Sequence, residues 1–330
     1  MIWIEFALSA TLIVVAAMKL AECADAISLR TRLGGMFIGT LLLAGATSLP
    51  ELFTTLSSIR LQVPELAAGN ILGSSMFNML ILAVLDLTNP RTRILRRVAV
   101  NHALSAGIAV LLTGLAVFFI LADVEVQIAW VGVDSLILVA MYWLGMGLIY
   151  SRNREFIQMA EHQRDEAEDV PGLAPSLVCF VGASLVLVLV TPWLVRSSVG
   201  IAELTGLSTG FIGAGLVAFV TSLPEVVTAV SATRIGAHDL AVGNLFGSNI
   251  FNVFALGSTD FFYFQGRFLA SVDPALTLAG VAGLVLTSLG LVASVAQVER
   301  RLFFVELDAL LIILGYVGAM ILLFSRGAVG

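Results

Sequence analysis

Charge is what this chain has least of. Only 12% of its 330 residues are Asp, Glu, Lys or Arg, while 59% are hydrophobic and the mean hydropathy is +1.02. Soluble domains carry about 25% charged residues, so a water-exposed globule is excluded and an integral membrane protein is indicated. Two cysteines, Cys23 and Cys179, are too few for a disulfide framework and fit no metal-ligand spacing, which leaves packing as their expected role. His102, His162 and His238 are scattered, with no HExxH or paired-ligand pattern, and no nucleophile–base pair is evident. An intramembrane metalloenzyme is therefore only a remote alternative. The first apolar run lacks a basic leader and a small-residue cleavage site, so it is expected to be a retained first span. The apolar runs also lack the dyad alternation in short segments that marks an outer-membrane barrel.

What remains is long apolar sequence. Spans of about 20 apolar residues centre near residues 12, 45, 77, 110, 139, 186, 218, 250, 285 and 314. The expected fold is an all-α integral membrane protein with ten transmembrane helices. With ten spans, four of the 17 basic residues (Arg60, Arg196, Arg267 and Arg326) fall on one side, leaving 13 on the other. The positive-inside rule puts the larger set in the cytoplasm and both termini outside. Four of those 13 come from RTRILRR, residues 91 to 97, which is expected to anchor topology against anionic lipid.

The longest polar interruption, SRNREFIQMAEHQRDEAEDVPG at 151 to 172, divides the chain. It separates a first five-helix unit, 1–150, from a second, 176–330, with 151–175 as a cytoplasmic linker. At an offset of 174 residues, 47–80 aligns without a gap on 221–254, and 16 of 34 positions are identical. The identities include Thr, Ser, Pro, Glu, Arg, Gly and Asn, so shared greasiness does not explain them. A duplicated unit follows. Because five is odd, the second copy enters the membrane from the opposite side, the inverted repeat on which many secondary transporters are built.

Both copies begin with TSLPE. Proline at 50 or 224 removes an N–H and kinks the helix, freeing a carbonyl four residues back. Thr47 and Ser48 share a helical face with Glu51, as Thr221 and Ser222 do with Glu225. Carboxylate, hydroxyl and carbonyl oxygens are the ligands that Ca2+ and Na+ require. The next helix of each half carries GNxxGS and then Asn, so Asn70, Ser74 and Asn78 form one polar stripe and Asn244, Ser248 and Asn252 another. Gly69 with Gly73, and Gly243 with Gly247, make small-xxx-small faces for close helix approach. Asn70 and Asn244 fit either ion ligation or interhelical hydrogen bonding. Glu51 and Glu225 are different, because a carboxylate near the bilayer centre costs about 3 kcal/mol and every basic residue fits near a span end. A bound cation is their natural partner, and protons should compete with it. Asp86 and Asp260 correspond at the same offset, as do Asp134 and Asp308, and all four suit helix ends.

TSLPE followed by GNxxGS and Asn, in two copies, resembles the alpha repeats of the sodium/calcium exchanger family, within the cation/calcium antiporter superfamily and of the bacterial and archaeal type. The resemblance implies an antiporter, not an enzyme, that exchanges Ca2+ for Na+ by alternating access. It implies cation ligands at Thr47, Ser48, Glu51, Ser74 and Asn78, at Thr221, Ser222, Glu225, Ser248 and Asn252, and at the backbone oxygens of Ala44 and Ala218. The transported ions are the bound substrates, with the lipid bilayer as surroundings and neither a cofactor nor nucleic acid involved. A plasma or inner membrane location is implied, and a monomer is compatible with it. Two departures bear on geometry: Ala46 and Val220 stand where the family usually has glycine. Asn252 stands where K+-carrying relatives have Asp, which weighs against K+ cotransport. No carboxylate shortly follows the Gly-Asn pairs, which disfavours proton coupling. Exchange of Ca2+ for H+, or of another divalent such as Mg2+ or Mn2+, is the alternative.

Overall fold

A computed structural model describes residues 1–31, 43–89, 94–95, 102–161, 171–296, 301–302 and 305–327. The helices of the first half are α1 (Ile2–Thr31), the short α2 (Leu49–Arg60), α3 (Pro64–Thr88), α4 (Ala103–Ala122) and α5 (Val133–Glu161). After the linker come α6 (Leu173–Thr205), α7 (Thr209–Thr221), α8 (Leu223–Arg234), α9 (His238–Thr259), α10 (Pro274–Ala296) and α11 (Leu307–Gly327). Two short antiparallel hairpins complete it: β1 (Gln127–Ile128) with β2 (Val131–Gly132), and β3 (Arg301–Leu302) with β4 (Val305–Glu306). Helix α5 runs on to Glu161, so the first residues of the expected linker belong to that helix.

Among the described residues, eight helices are long and apolar enough to cross a membrane, and α7 with α8 makes a ninth candidate bent by 42°. Residues 32–42, half of the expected second span, lie outside the described residues, as do His162 and all of RTRILRR except Ile94 and Leu95. The 174-residue offset recurs in the elements themselves: α2 and α8, β1 and β3, and β2 and β4 superimpose end for end in number. The starts of α3 and α9, and of α5 and α11, obey the same offset.

Helices α3 and α9 occupy the middle. Of their most apolar windows 72% and 83% is buried by protein, against 22% for α6 and 17% for α11, whose outward faces are left for lipid. One apolar cluster joins α3, α4, α9 and α10, and includes Met76, Met79, Leu112, Phe246 and Leu286. A second joins α1 to α6 through Ile13, Leu20, Leu187 and Leu194, and reaches the bent pair at Val217 and Val220. The expected small-residue face on α3 has its partner: a Cβ on Gly69 would collide with the Gly210 carbonyl, and one on Gly73 with that of Ala214. Backbone lies on backbone there. Gly73→Val should therefore cost about 1–3 kcal/mol, as overpacking does, read as a lowered melting temperature of the detergent-solubilised protein.

Cys23 and Cys179 are not merely packing residues. They form a disulfide between α1 and α6, with Cα atoms 6.2 Å apart across a sequence separation of 156. Side-by-side packing of the two helices makes the pairing, which sequence spacing could not indicate. At the same end, the Arg30 guanidinium donates to the Pro171 carbonyl at 3.2 Å. With a protease site placed between residues 162 and 170, the cleaved protein in oxidising conditions should run as one band on a gel without reductant and as two with it. Two bands without reductant would contradict the bridge.

The buried aspartates act as loop ties. Asp86 Oδ1 accepts the Leu95 N–H at 2.9 Å. Its repeat mate Asp260 accepts the N–H groups of Phe268 and Gly132. Asp134 accepts the Ser135 N–H at 2.8 Å and lies 3.6 Å from the Arg267 guanidinium, which also pairs with Asp123. These are the helix-end roles expected of them.

Candidate cation site

The site begins at two matched breaks. Ser48 has φ −89° and ψ 4°, and Ser222 has φ −88° and ψ 5°, so the two TSLPE segments turn in the same way. Proline then sits in the first turn of α2 and of α8, where its missing N–H interrupts no bond within the new helix. The next residue in each is the glutamate. Glu51 and Glu225 are each only 1% exposed.

The four short polar segments interlock across the repeats. Glu51 Oε1 accepts from Ser222 Oγ at 3.0 Å and from Ser74 Oγ at 3.4 Å. Glu225 Oε1 accepts from Ser48 Oγ at 2.9 Å and from Ser248 Oγ at 3.2 Å. Each carboxylate thus takes one hydroxyl from the opposite broken helix and one from the following helix of its own half. Each glutamate is thereby bonded to the serine three residues before the other.

The second carboxylate oxygens carry more information. Glu51 Oε2 and Glu225 Oε2 are buried with no protein hydrogen-bond donor, and so are Asn78 Oδ1 and Asn252 Oδ1. A buried polar atom left unpaired costs about 1–3 kcal/mol, and more when charged, so four such oxygens on symmetry-related positions are not a packing accident. All four are acceptors. A cation satisfies acceptors and repels donors, and among the described residues no lysine or arginine is paired with either glutamate.

The threonines and alanines line the same breaks. Thr47 Oγ1 can donate to the Ala44 carbonyl at 3.2 Å or to Asn244 Oδ1 at 3.3 Å. Thr221 Oγ1 can donate to Asn70 Oδ1 at 3.0 Å or to the carbonyls of Val217 and Ala218 at 3.2 and 3.4 Å. The Ala44 and Ala218 carbonyls also accept the Ser48 and Ser222 N–H groups, at 3.1 and 3.0 Å. With the threonine hydroxyls turned to the asparagine oxygens, each of these carbonyls retains a lone-pair direction for a further partner. The oxygens of Asn70 and Asn244 receive threonine hydroxyls from the other half, and Asn70 Nδ2 donates to the Glu51 carbonyl at 3.3 Å. Of the two roles open to Asn70 and Asn244, the geometry of Asn70 and of the Asn244 oxygen is that of helix-to-helix hydrogen bonding, while Asn244 Nδ2 has no partner among the described residues.

Two residues escaped the sequence reading. Asn249 is fully buried and accepts from Asn78 Nδ2 at 2.9 Å, and Ser75 accepts from Asn252 Nδ2 at 3.2 Å. They are mates at the 174-residue offset, and the available signal was two polar residues at one position of otherwise apolar stripes.

The model of the family described as Sodium/calcium exchanger protein matches residues 1–150 and 175–325. The chain belongs to this family. It is a family of membrane antiporters, not of enzymes, which removes the metalloenzyme alternative. The exchanger is 31% identical over 239 residues to inner membrane protein YrbG of Escherichia coli strain K12, a stretch that spans 66% of each protein. Its fold matches the crystal structure of the H+/Ca2+ exchanger CAX with a TM-score of 0.71 at 12% identity, covering 99% of this chain and 86% of that one. It matches the sodium-calcium exchanger NCX_Mj with a TM-score of 0.61 at 20% identity, covering 97% and 99%. At such identities the likeness is one of fold, and one fold serves exchangers named for either coupling ion.

Proposed function

We propose that this protein is a Na+/Ca2+ antiporter of a plasma or inner membrane, in which Glu51 and Glu225 jointly hold either one Ca2+ or several Na+ near the bilayer midplane. The observation that carries this is the set of four donorless buried oxygens on Glu51, Asn78, Glu225 and Asn252. Hydroxyls of Thr47, Ser48, Ser74, Thr221, Ser222 and Ser248, with the carbonyls of Ala44 and Ala218, offer further oxygens, more in all than the six to eight that one Ca2+ takes and enough to be shared among several Na+.

The architecture proposed around this site is ten spans in two inverted five-helix copies, with the linker in the cytoplasm and both termini outside. The recurrence of breaks, helix starts and hairpins at one offset supports it, as does the bias of basic residues. Inversion gives the site two equivalent approaches, one from each side of the membrane, and alternating access opens one at a time. Sodium is favoured over protons because no carboxylate follows the Gly-Asn pairs, and over joint K+ transport because Asn252 is an amide.

The test is ion flux into reconstituted vesicles with Na+, K+ and H+ gradients imposed separately. An outward Na+ gradient should drive Ca2+ accumulation without either of the others. Uptake indifferent to Na+ and driven by a pH gradient would assign H+ as the coupling ion instead.

A further inference from the structure

A carboxylate offers oxygen to a cation whichever way it turns. A carboxamide does not: one end is an acceptor and the other carries two donor hydrogens, and turning the NH2 toward a cation would repel it. Two of the four corners of this site are amides, so something must decide which end faces inward. We propose that Ser75 and Asn249 are positioning residues that hold the oxygens of Asn252 and Asn78 toward the cation. This rests on the cation-site assignment above and adds to it a role for two residues that touch no ion.

The direction of each hydrogen bond is fixed by a chain that ends on a backbone carbonyl, which can only accept. Ser75 Oγ donates to the Ile71 carbonyl at 3.1 Å. Its single proton is thereby used, so it meets the Asn252 amide as an acceptor and takes the Nδ2 end, at 3.2 Å. Asn252 Oδ1 is left turned away, without a donor. The second chain is longer. Thr287 Oγ1, on α10, donates to the Gly283 carbonyl at 2.7 Å and so accepts from Asn249 Nδ2 at 3.4 Å. Asn249 Nδ2 also donates to the Ser75 carbonyl at 3.3 Å. With its NH2 held twice, Asn249 presents only Oδ1 to Asn78, takes the Nδ2 end at 2.9 Å, and leaves Asn78 Oδ1 donorless.

Each positioning residue acts on the amide of the opposite half. Ser75 from α3 orients Asn252 on α9, and Asn249 from α9 orients Asn78 on α3. The two are equivalent by position yet differ in type, so the same task is done by a hydroxyl on one side and an amide on the other. A corner that carried a carboxylate would need no such partner.

That difference supplies the test. Ca2+ affinity is measured by calorimetry on the full-length protein in detergent, for Ser75→Ala in the native background and in an Asn252→Asp background. In the native background Ser75→Ala should weaken Ca2+ binding about tenfold, a hydrogen-bond-sized effect, and Ser75→Thr, which keeps the acceptor, should restore it. In the Asn252→Asp background the same Ser75→Ala change should alter affinity by less than about twofold, because either carboxylate oxygen serves. Equal losses in both backgrounds would mean that Ser75 supports packing only, and no loss in either would equally overturn the proposal. Where Ser75→Ala fails to fold, Thr287→Val probes the other chain: binding should weaken in the native background and not in Asn78→Asp. Glu51→Gln runs alongside. If it too leaves Ca2+ binding unchanged, the cation-site assignment has failed; if it abolishes binding while Ser75→Ala is silent, only the positioning role has failed.

Discussion

Glu51→Gln and Glu225→Gln are each expected to lower Ca2+ transport by two to three orders of magnitude while the protein stays folded. Each glutamate is almost wholly buried, with one oxygen held by two serine hydroxyls and the other without a protein donor. Glutamine preserves the shape and the hydroxyl contacts to Oε1 but removes the charge. Taking one partner from a buried ion pair costs about 3–5 kcal/mol, which is a factor of about 150 to several thousand in affinity at 1.4 kcal/mol per decade. Folding should survive because, among the described residues, no basic side chain is paired with either carboxylate, and neither apolar cluster includes them. Radiolabelled Ca2+ uptake into vesicles, with gel filtration and melting of the same preparations, checks both halves of the expectation. A variant that melts like wild type and transports like wild type would remove the glutamate from the site.

Membrane potential should have the second largest effect. Two carboxylates neutralise one Ca2+, so the Ca2+-loaded site carries no net charge. If three Na+ take its place, the loaded site gains one positive charge and each cycle moves one charge across the membrane. One elementary charge is worth about 2.3 kcal/mol per 100 mV, so the Ca2+ accumulation ratio at equilibrium should change about fifty-fold per 100 mV. Vesicles clamped at set K+ potentials with valinomycin should show this dependence, with Na+ present on both sides. A ratio independent of potential would mean electroneutral exchange, with two Na+ per Ca2+.

The sequence made the residues of the proposed cation site legible because polar groups stand out in apolar surroundings. TSLPE and GNxxGS with its following Asn are among the few places where carboxylate, hydroxyl and amide occur mid-span, and their repetition supplied the second half of the site. The breaks could be placed as well, since proline dictates where a helix must restart. What escaped depends on partners brought in from far along the chain. Asn249 and Ser75 act on the opposite repeat, more than 170 residues away, and neither lies in a position shared as an identity. The Cys23–Cys179 bridge joins helices that no local pattern pairs. The hairpins at 127–132 and 301–306 are too short to leave a period-2 signature. Asn70 and Asn244 show the middle case, in which sequence identified polar residues that matter but geometry was needed to tell interhelical hydrogen bonding from ion ligation.

The central claim is that the two repeats build one cation site between them rather than one apiece, and the stoichiometry of Ca2+ binding tests it most directly. Titration of the purified wild-type protein in Na+-free detergent solution should give one tightly bound Ca2+ per chain, and either Glu51→Gln or Glu225→Gln alone should eliminate it. Two Ca2+ per chain, with each single variant losing one and keeping the other, would contradict the shared site.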